Sequence, residues 1–204
     1  MVKYLALGDS YTIGEGVATE SSFPFQLYRD LSKLGVSIVK PNFVAQTGWT
    51  TVELIAKLNE NTSSPTFDLV TLLIGVNNQY RGLPIEQFEQ DFKALTQKAI
   101  FFTGGRAKTV LALSIPDYGC TPFGAAKKES IQIEIDQYNE IIKKLSLELG
   151  FEYIDITTLS RMYASHPEML VSDNLHPSSI LYRKWVDVLT PIARYALRFS
   201  EGDI

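Results

Sequence analysis

The sequence predicts an α/β protein: a three-layer α/β/α sandwich on a mostly parallel sheet of five strands. Three observations lead there. Short apolar runs alternate with amphipathic stretches of ten or more residues along the chain, the pattern of successive βαβ units. The run Phe67–Ile74 is nearly continuous apolar with β-branched residues, as in a strand covered on both faces. No repeat, low-complexity stretch or linker interrupts the alternation, so residues 1–204 read as a single domain.

The elements follow in order. Lys3–Leu7 reads as a short buried strand ending at Gly8. Phe25–Leu34 reads as a helix closed by Gly35, in the manner of a glycine C-cap. Val36–Ala45 is the next strand, Thr51–Asn59 the next helix, and Phe67–Ile74 the third strand. Pro84 opens a helix to about Phe101, proline being suited to a first helical turn. Thr109–Ile115 is the fourth strand. In the helix that follows, Ile131, Ile135, Tyr138, Ile142, Leu145 and Leu149 step by fours and threes, which gathers them on one side before Gly150 stops it. Phe151–Ile154 is the last strand and Ser179–Phe199 the last helix. Right-handed crossovers place helices on both faces, and the expected strand order is flavodoxin-like.

Bulk properties narrow the function. The chain has 204 residues, 45% hydrophobic and 21% charged, which is ordinary globular composition. A net charge of −4 argues against a nucleic-acid partner, which needs a basic face. Two histidines and one cysteine, Cys120, rule out a histidine-rich metal site and an internal disulfide. No stretch of about 18 apolar residues is present, so no membrane span is expected. The N-terminal apolar run is too short for a signal-peptide core. The default expectations are a cytoplasmic protein and a monomer, although a secreted chain without its leader reads the same way.

In doubly wound sheets, ligands bind beyond the carboxyl ends of the strands. Four clusters of small and polar residues fall where that rule puts them. They are Gly8-Asp9-Ser10-Tyr11-Thr12, Gln46-Thr47-Gly48-Trp49, Gly75-Val76-Asn77-Asn78 and Asp173-Asn174-Leu175-His176-Pro177. Singly, each has a plain structural reading as a cap, a loop glycine, a turn, or a helix start with Pro177 at the first position. Together they supply what acyl transfer needs: a hydroxyl, a base held by an acid, and donors for an oxyanion. Asp173 stands three residues before His176, within local reach of one imidazole nitrogen, leaving the other for Ser10. His166 has Tyr163 at the equivalent position and reads as a surface histidine.

In this order and spacing, the four clusters resemble the blocks of the SGNH (GDSL-like) hydrolases, a family of serine esterases and lipases. The resemblance spans residues 8–177 and implies the same three-layer fold. It implies Ser10 as nucleophile, His176 as base and Asp173 as its acid. The Ser10 and Gly48 N–H groups and the Asn77 amide would form the oxyanion hole. It implies an ester hydrolase acting without a cofactor or metal on a small-molecule ester, such as an acetylated carbohydrate, a short-chain ester or a lysophospholipid. The third block departs from the usual Gly-x-Asn-Asp, because Asn78 stands in place of the aspartate. Asn78 keeps an acceptor but loses the charge. The change is mild if the aspartate only anchors backbone, and reaches the oxyanion hole if it supports another block.

Tyr11, Trp49 and Tyr80 are the candidate substrate contacts, with Ile13, Gln79, Arg81 and the segment 117–123 around them. Trp49 reads equally as a stacking surface or as core. Other classes fit less well. The Gly-x-Ser-x-Gly elbow of α/β-hydrolases is absent, since Thr12 stands where its second glycine would be. Gly14-Glu15-Gly16 lacks the third glycine of a dinucleotide fingerprint. A non-catalytic binding module that retains the fold is the remaining alternative.

Overall fold

The computed structural model describes residues 1–60, 66–163 and 166–199. The domain expected over 1–204 includes residues 61–65, 164–165 and 200–204, which lie outside the described residues. Five parallel strands, β1 (Tyr4–Gly8), β2 (Asn42–Ala45), β3 (Leu69–Leu73), β4 (Val110–Leu113) and β5 (Glu152–Ile154), form one sheet in the order β2-β1-β3-β4-β5. This is the flavodoxin-like order, with its switch point at β1. Every residue of β1, β3 and β4 is buried, whereas the edge strands β2 and β5 are partly exposed. That difference is why the central strands read as apolar runs.

The helices are α1 (Ser10–Ile13), α2 (Phe23–Lys33), α3 (Thr51–Glu60), α4 (Val76–Tyr80), α5 (Ile85–Phe102), α6 (Lys128–Leu149), α7 (Thr157–Tyr163) and α8 (Ser179–Phe199). α2 packs on α8, burying Phe23, Leu27, Leu31, Tyr182 and Trp185. α3, α5 and α6 pack in sequence, with Phe88, Phe92, Ile135 and Ile142 fully or almost fully buried. The stripe foreseen on α6 faces this core, apart from Leu149, which is only partly buried. Gly35 closes α2 as expected, in a Schellman motif: its N–H reaches Ser32 O and the Val36 N–H reaches Leu31 O, each at 3.0 Å.

Three local expectations need correction, and three short helices come in addition. The second strand is only Asn42–Ala45; residues 36–41 pair through the single Val2–Ile38 bridge, and Pro41, without an N–H, cannot extend the ladder. Pro84 caps α5 from outside, with ψ 131°, and is not its first residue. Pro177 lies in an antiparallel bridge with Leu170, two residues before α8, where Ser178 Oγ instead accepts from the Ile180 N–H at 3.2 Å. α1, α4 and α7, of four, five and seven residues, are helices the periodicity did not announce.

A buried polar chain holds the start of α3 to α4 and α5. Asn78 Oδ1 accepts from the Thr51 N–H at 3.1 Å, and Asn78 Nδ2 donates to Thr51 Oγ1 at 2.8 Å. Thr51 Oγ1 in turn donates to Asp91 Oδ2 at 2.8 Å, while Gln87 Nε2 donates to Asp91 Oδ1 at 2.8 Å. Asn78 therefore anchors backbone, and the carboxylate missing from its block stands one hydroxyl away on α5. The direction of the chain is fixed: amide to hydroxyl to carboxylate. Asn78→Asp sets two carboxylates against one hydroxyl and is expected to cost about 1–3 kcal/mol in urea unfolding. Asn78→Asp with Asp91→Asn reverses both hydrogen bonds of the Thr51 hydroxyl, keeps those from the Thr51 N–H and Gln87, and is expected to regain most of that loss. An additive double mutant would disprove the coupling.

Candidate active site

The site begins where β1 ends. A Cβ on Gly8 would lie 2.3 Å from Leu73 O and 2.1 Å from Thr12 Oγ1, so only glycine fits between β3 and α1. Asp9 then caps α1, its Oδ1 accepting from the Tyr11 N–H at 3.0 Å. The cap reading of Gly-Asp-Ser is thus correct and does not compete with a chemical one, because the cap sets the direction of Ser10. Ser10 is 5% exposed and faces a cavity of about 200 Å³.

His176 Nε2 lies 3.0 Å from Ser10 Oγ, and His176 Nδ1 lies 2.7 Å from Asp173 Oδ2. The other Asp173 oxygen accepts from the N–H groups of Leu175 and His176 at 2.8 and 2.9 Å. This local turn is why a spacing of three suffices. It requires a left-handed residue, supplied by Asn174 at φ 61°. Partial burial pushes the Asp173 carboxyl up, but the hydrogen bonds from His176 and Leu175 outweigh it and leave it below the usual range. Asp173 is thereby kept ionised beside the imidazole. His166 is exposed, with Nδ1 3.9 Å from Glu168 Oε1, in line with a surface histidine.

Opposite Ser10, the segment around Gly48 and the start of α4 form the other wall. Gly48 has φ 80°, and Arg81 Nη2 donates to its carbonyl. Asn77 Nδ2 donates to Trp49 O at 2.9 Å, which uses one amide hydrogen and leaves the second for the cavity. Among the described residues, the N–H groups of Ser10 and Gly48 have no hydrogen-bond partner. The structure therefore brings Ser10, Gly48, Asn77 and His176 to one cavity, with Asp173 behind the imidazole.

The candidate contact residues divide. Tyr11 is 3% exposed, its ring centroid 5.5 Å from that of His176, and it lines the cavity. Tyr80 lines it from the exposed side. Trp49 packs against the core outside the cavity wall and reaches the site only through its carbonyl. Thr47, Val76 and Leu175 complete the wall with Tyr118 and Phe123. The last two fall in the segment 117–123, whereas nothing in the sequence marks Val76 and Leu175, since an apolar residue in a motif carries no chemical signal.

A larger cavity, about 530 Å³, lies at the amino ends of the strands against Met1, Asp68, Arg106 and Arg194. It gathers none of the candidate site residues. Among the described residues, no group of three or more His, Cys, Asp or Glu is placed to hold a metal. No helix among them is long and apolar enough to cross a membrane.

Comparison with solved structures gives the same fold. TesA aligns with a TM-score of 0.76 at 19% identity, over 95% of this chain and 99% of that one. The psychrotrophic esterase EstA from Pseudoalteromonas sp., inhibited by monoethylphosphonate, aligns at 0.69 and 17%, over 97% and 100%. An Axe2 variant, an acetyl xylan esterase from Geobacillus stearothermophilus, aligns at 0.75 and 17%, over 94% of each chain. The three-layer sandwich is the SGNH hydrolase fold. A search of curated proteins finds no match. The family model described as GDSL-like lipase/acylhydrolase matches residues 6–184. With that match over most of its length, the chain belongs to the GDSL-like lipase/acylhydrolase family of carboxylic ester hydrolases.

Proposed function

We propose that this protein cleaves a small acyl ester through an acyl-enzyme on Ser10. One observation carries the reading: the continuous path from Ser10 Oγ through both nitrogens of His176 to Asp173, with contacts of 3.0 and 2.7 Å. Ser10 attacks the ester carbonyl as His176 Nε2 takes its proton, and the Asp173 carboxylate compensates the imidazolium. The Ser10 N–H, the Gly48 N–H and the free Asn77 amide hydrogen hold the oxyanion. His176 returns the proton to the leaving alcohol. Water, deprotonated by the same imidazole, then attacks the acyl-enzyme and releases the acid. No step calls on a metal or organic cofactor.

The small chamber, with Tyr11, Val76 and Leu175 in its wall, favours a short acyl group. Acetylated carbohydrates, short-chain esters and lysophospholipids are the substrate classes considered, and the chamber size supports the first two.

Asp9 bears on the same chemistry. Its Oδ2 is buried without a partner, and burial pushes its carboxyl up to about 7. Below about pH 7 a protonated Asp9 keeps a negative charge away from the residue next to Ser10.

Replacing Ser10 or His176 with alanine is expected to cost about four to six orders of magnitude in turnover of p-nitrophenyl acetate. A fluorophosphonate should label the wild type at Ser10 and leave Ser10→Ala unlabelled by mass spectrometry. Unlabelled wild type, with no turnover, would instead indicate a binding module. Asn77→Ala is expected to lose roughly two to three orders in kcat, as for one oxyanion donor. For Asp9, the folded carboxyl holds its proton to about 7, against about 3.9 in the unfolded chain. Its contribution to stability is therefore full below about pH 4 and is lost as pH rises through about 7. Relative to Asp9→Asn, the wild type should lose melting temperature between pH 5 and pH 8; parallel curves would refute a raised Asp9.

A further inference from the structure

Beyond the catalytic chamber lies a second cleft of about 380 Å³, between α4 and the first half of α6. The two spaces share one wall, made by Tyr80, Tyr118 and Phe123. Their three ring centroids lie 6.2–6.4 Å apart, and Tyr80 and Phe123 are 60% and 50% exposed. The far side of the cleft is different in kind. Gln79, Lys127, Ser130 and Glu134 line it. Gln79 is 7% exposed; its Nε2 donates to Glu134 Oε2 at 2.7 Å, while its Oε1 is buried with no hydrogen-bond partner.

We propose that this cleft is the subsite for the alcohol half of the ester, and that it takes a neutral polyhydroxylated ring, that is, a sugar. The inference rests on the acyl-enzyme reading above and specifies its substrate. Four features carry it. The cleft's charged side chains are one cation and one anion, Lys127 and Glu134, so it has no net charge with which to select an ionic group. Its polar side chains offer donors and acceptors together, matching hydroxyls, which are both. An orphan acceptor at Gln79 gains most from a ligand that supplies an O–H. Aromatic rings opposite suit the C–H groups of a sugar ring, leaving its hydroxyls for the polar side.

The alcohol side of the reaction also points this way. His176 must deliver a proton to the leaving oxygen, and the Phe123 N–H is bonded to Asn174 O, within the turn that carries His176. The aromatic wall is thus tied to the proton donor. The short acyl group fills the apolar chamber, and the ring passes over the wall into the polar cleft.

The test compares two acetates of similar shape, 6-O-acetylglucose and cyclohexylmethyl acetate, on wild type, Glu134→Leu and Phe123→Ala. Glu134 is exposed on a helix and Phe123 is half exposed, so both variants should fold, which circular dichroism checks. The wild type should prefer the sugar ester in kcat/KM by tenfold or more, and each variant should lose most of that preference through KM. Equal falls on both acetates would overturn the subsite. So would a gain on p-nitrophenyl octanoate by Glu134→Leu with the sugar preference intact, since the cleft would then hold the acyl chain. Absence of Ser10-dependent turnover on every ester would remove the underlying acyl-enzyme reading, a result distinct from either of these.

Discussion

The end of β1 is the constraint on which the rest of the site depends. β1 lies between β2 and β3 with every residue buried, so the chain can leave the sheet only along its axis. It does so at a residue with no room for a Cβ. The following Asp9 turns the backbone at once into α1 by accepting from the Tyr11 N–H. The placement of Ser10 is therefore a by-product of how a central parallel strand must end. The switch point of the sheet supplies the opening on that side, and β2 and β3 deliver the Gly48 and Asn77 segments to its rim.

Those two segments are not left to loop flexibility. Asn77 binds the carbonyl of Trp49, Asn78 binds both the N–H and the hydroxyl of Thr51, and Arg81 reaches the carbonyl of Gly48. One short helix and its C-cap residue thus grip the segment 48–51 at Gly48, Trp49 and Thr51. Asp91 anchors the grip from α5 without facing the cavity. The loss of an aspartate at position 78 is absorbed here, because the hydroxyl of Thr51 passes the interaction to another carboxylate. In the acyl-enzyme reading proposed above, donors held this way need no reorganisation when charge develops, the main electrostatic advantage of a folded site over water.

The sequence reading succeeded where a single physical cause dominates. Strands buried on both faces show as apolar runs, and α6 and α8 are long enough for their period to repeat. Residues with chemical side chains stood out because they cluster after strands. It failed where the cause is local or distant. α1 and α4 are too short to complete a helical period, and residues 36–41 are apolar enough to mimic a strand that Pro41 forbids. Trp49 was ambiguous because its position beside Gly48 says nothing of which way the ring turns. The Asn78–Thr51–Asp91 chain joins three elements, and no pattern along the chain encodes that junction. Tyr118 and Phe123 were reachable only as members of a segment, since their importance comes from meeting Tyr80 in space.

The segment carrying Asp173 and His176 is a small closed unit. The N–H of Val171 reaches His176 O at 2.9 Å, that of Ser178 reaches Met169 O at 2.8 Å, and Leu170 bridges Pro177. Few bonds close it, and Ser172, Asp173 and Asn174 are exposed. Such a lasso can open in isolation at a free energy well below that of the whole sheet. On warming, the imidazole would then part from the serine while the fold stays intact, so inactivation would precede melting. Amide exchange at Val171 and Ser178, rather than calorimetry, would track the working lifetime of the protein.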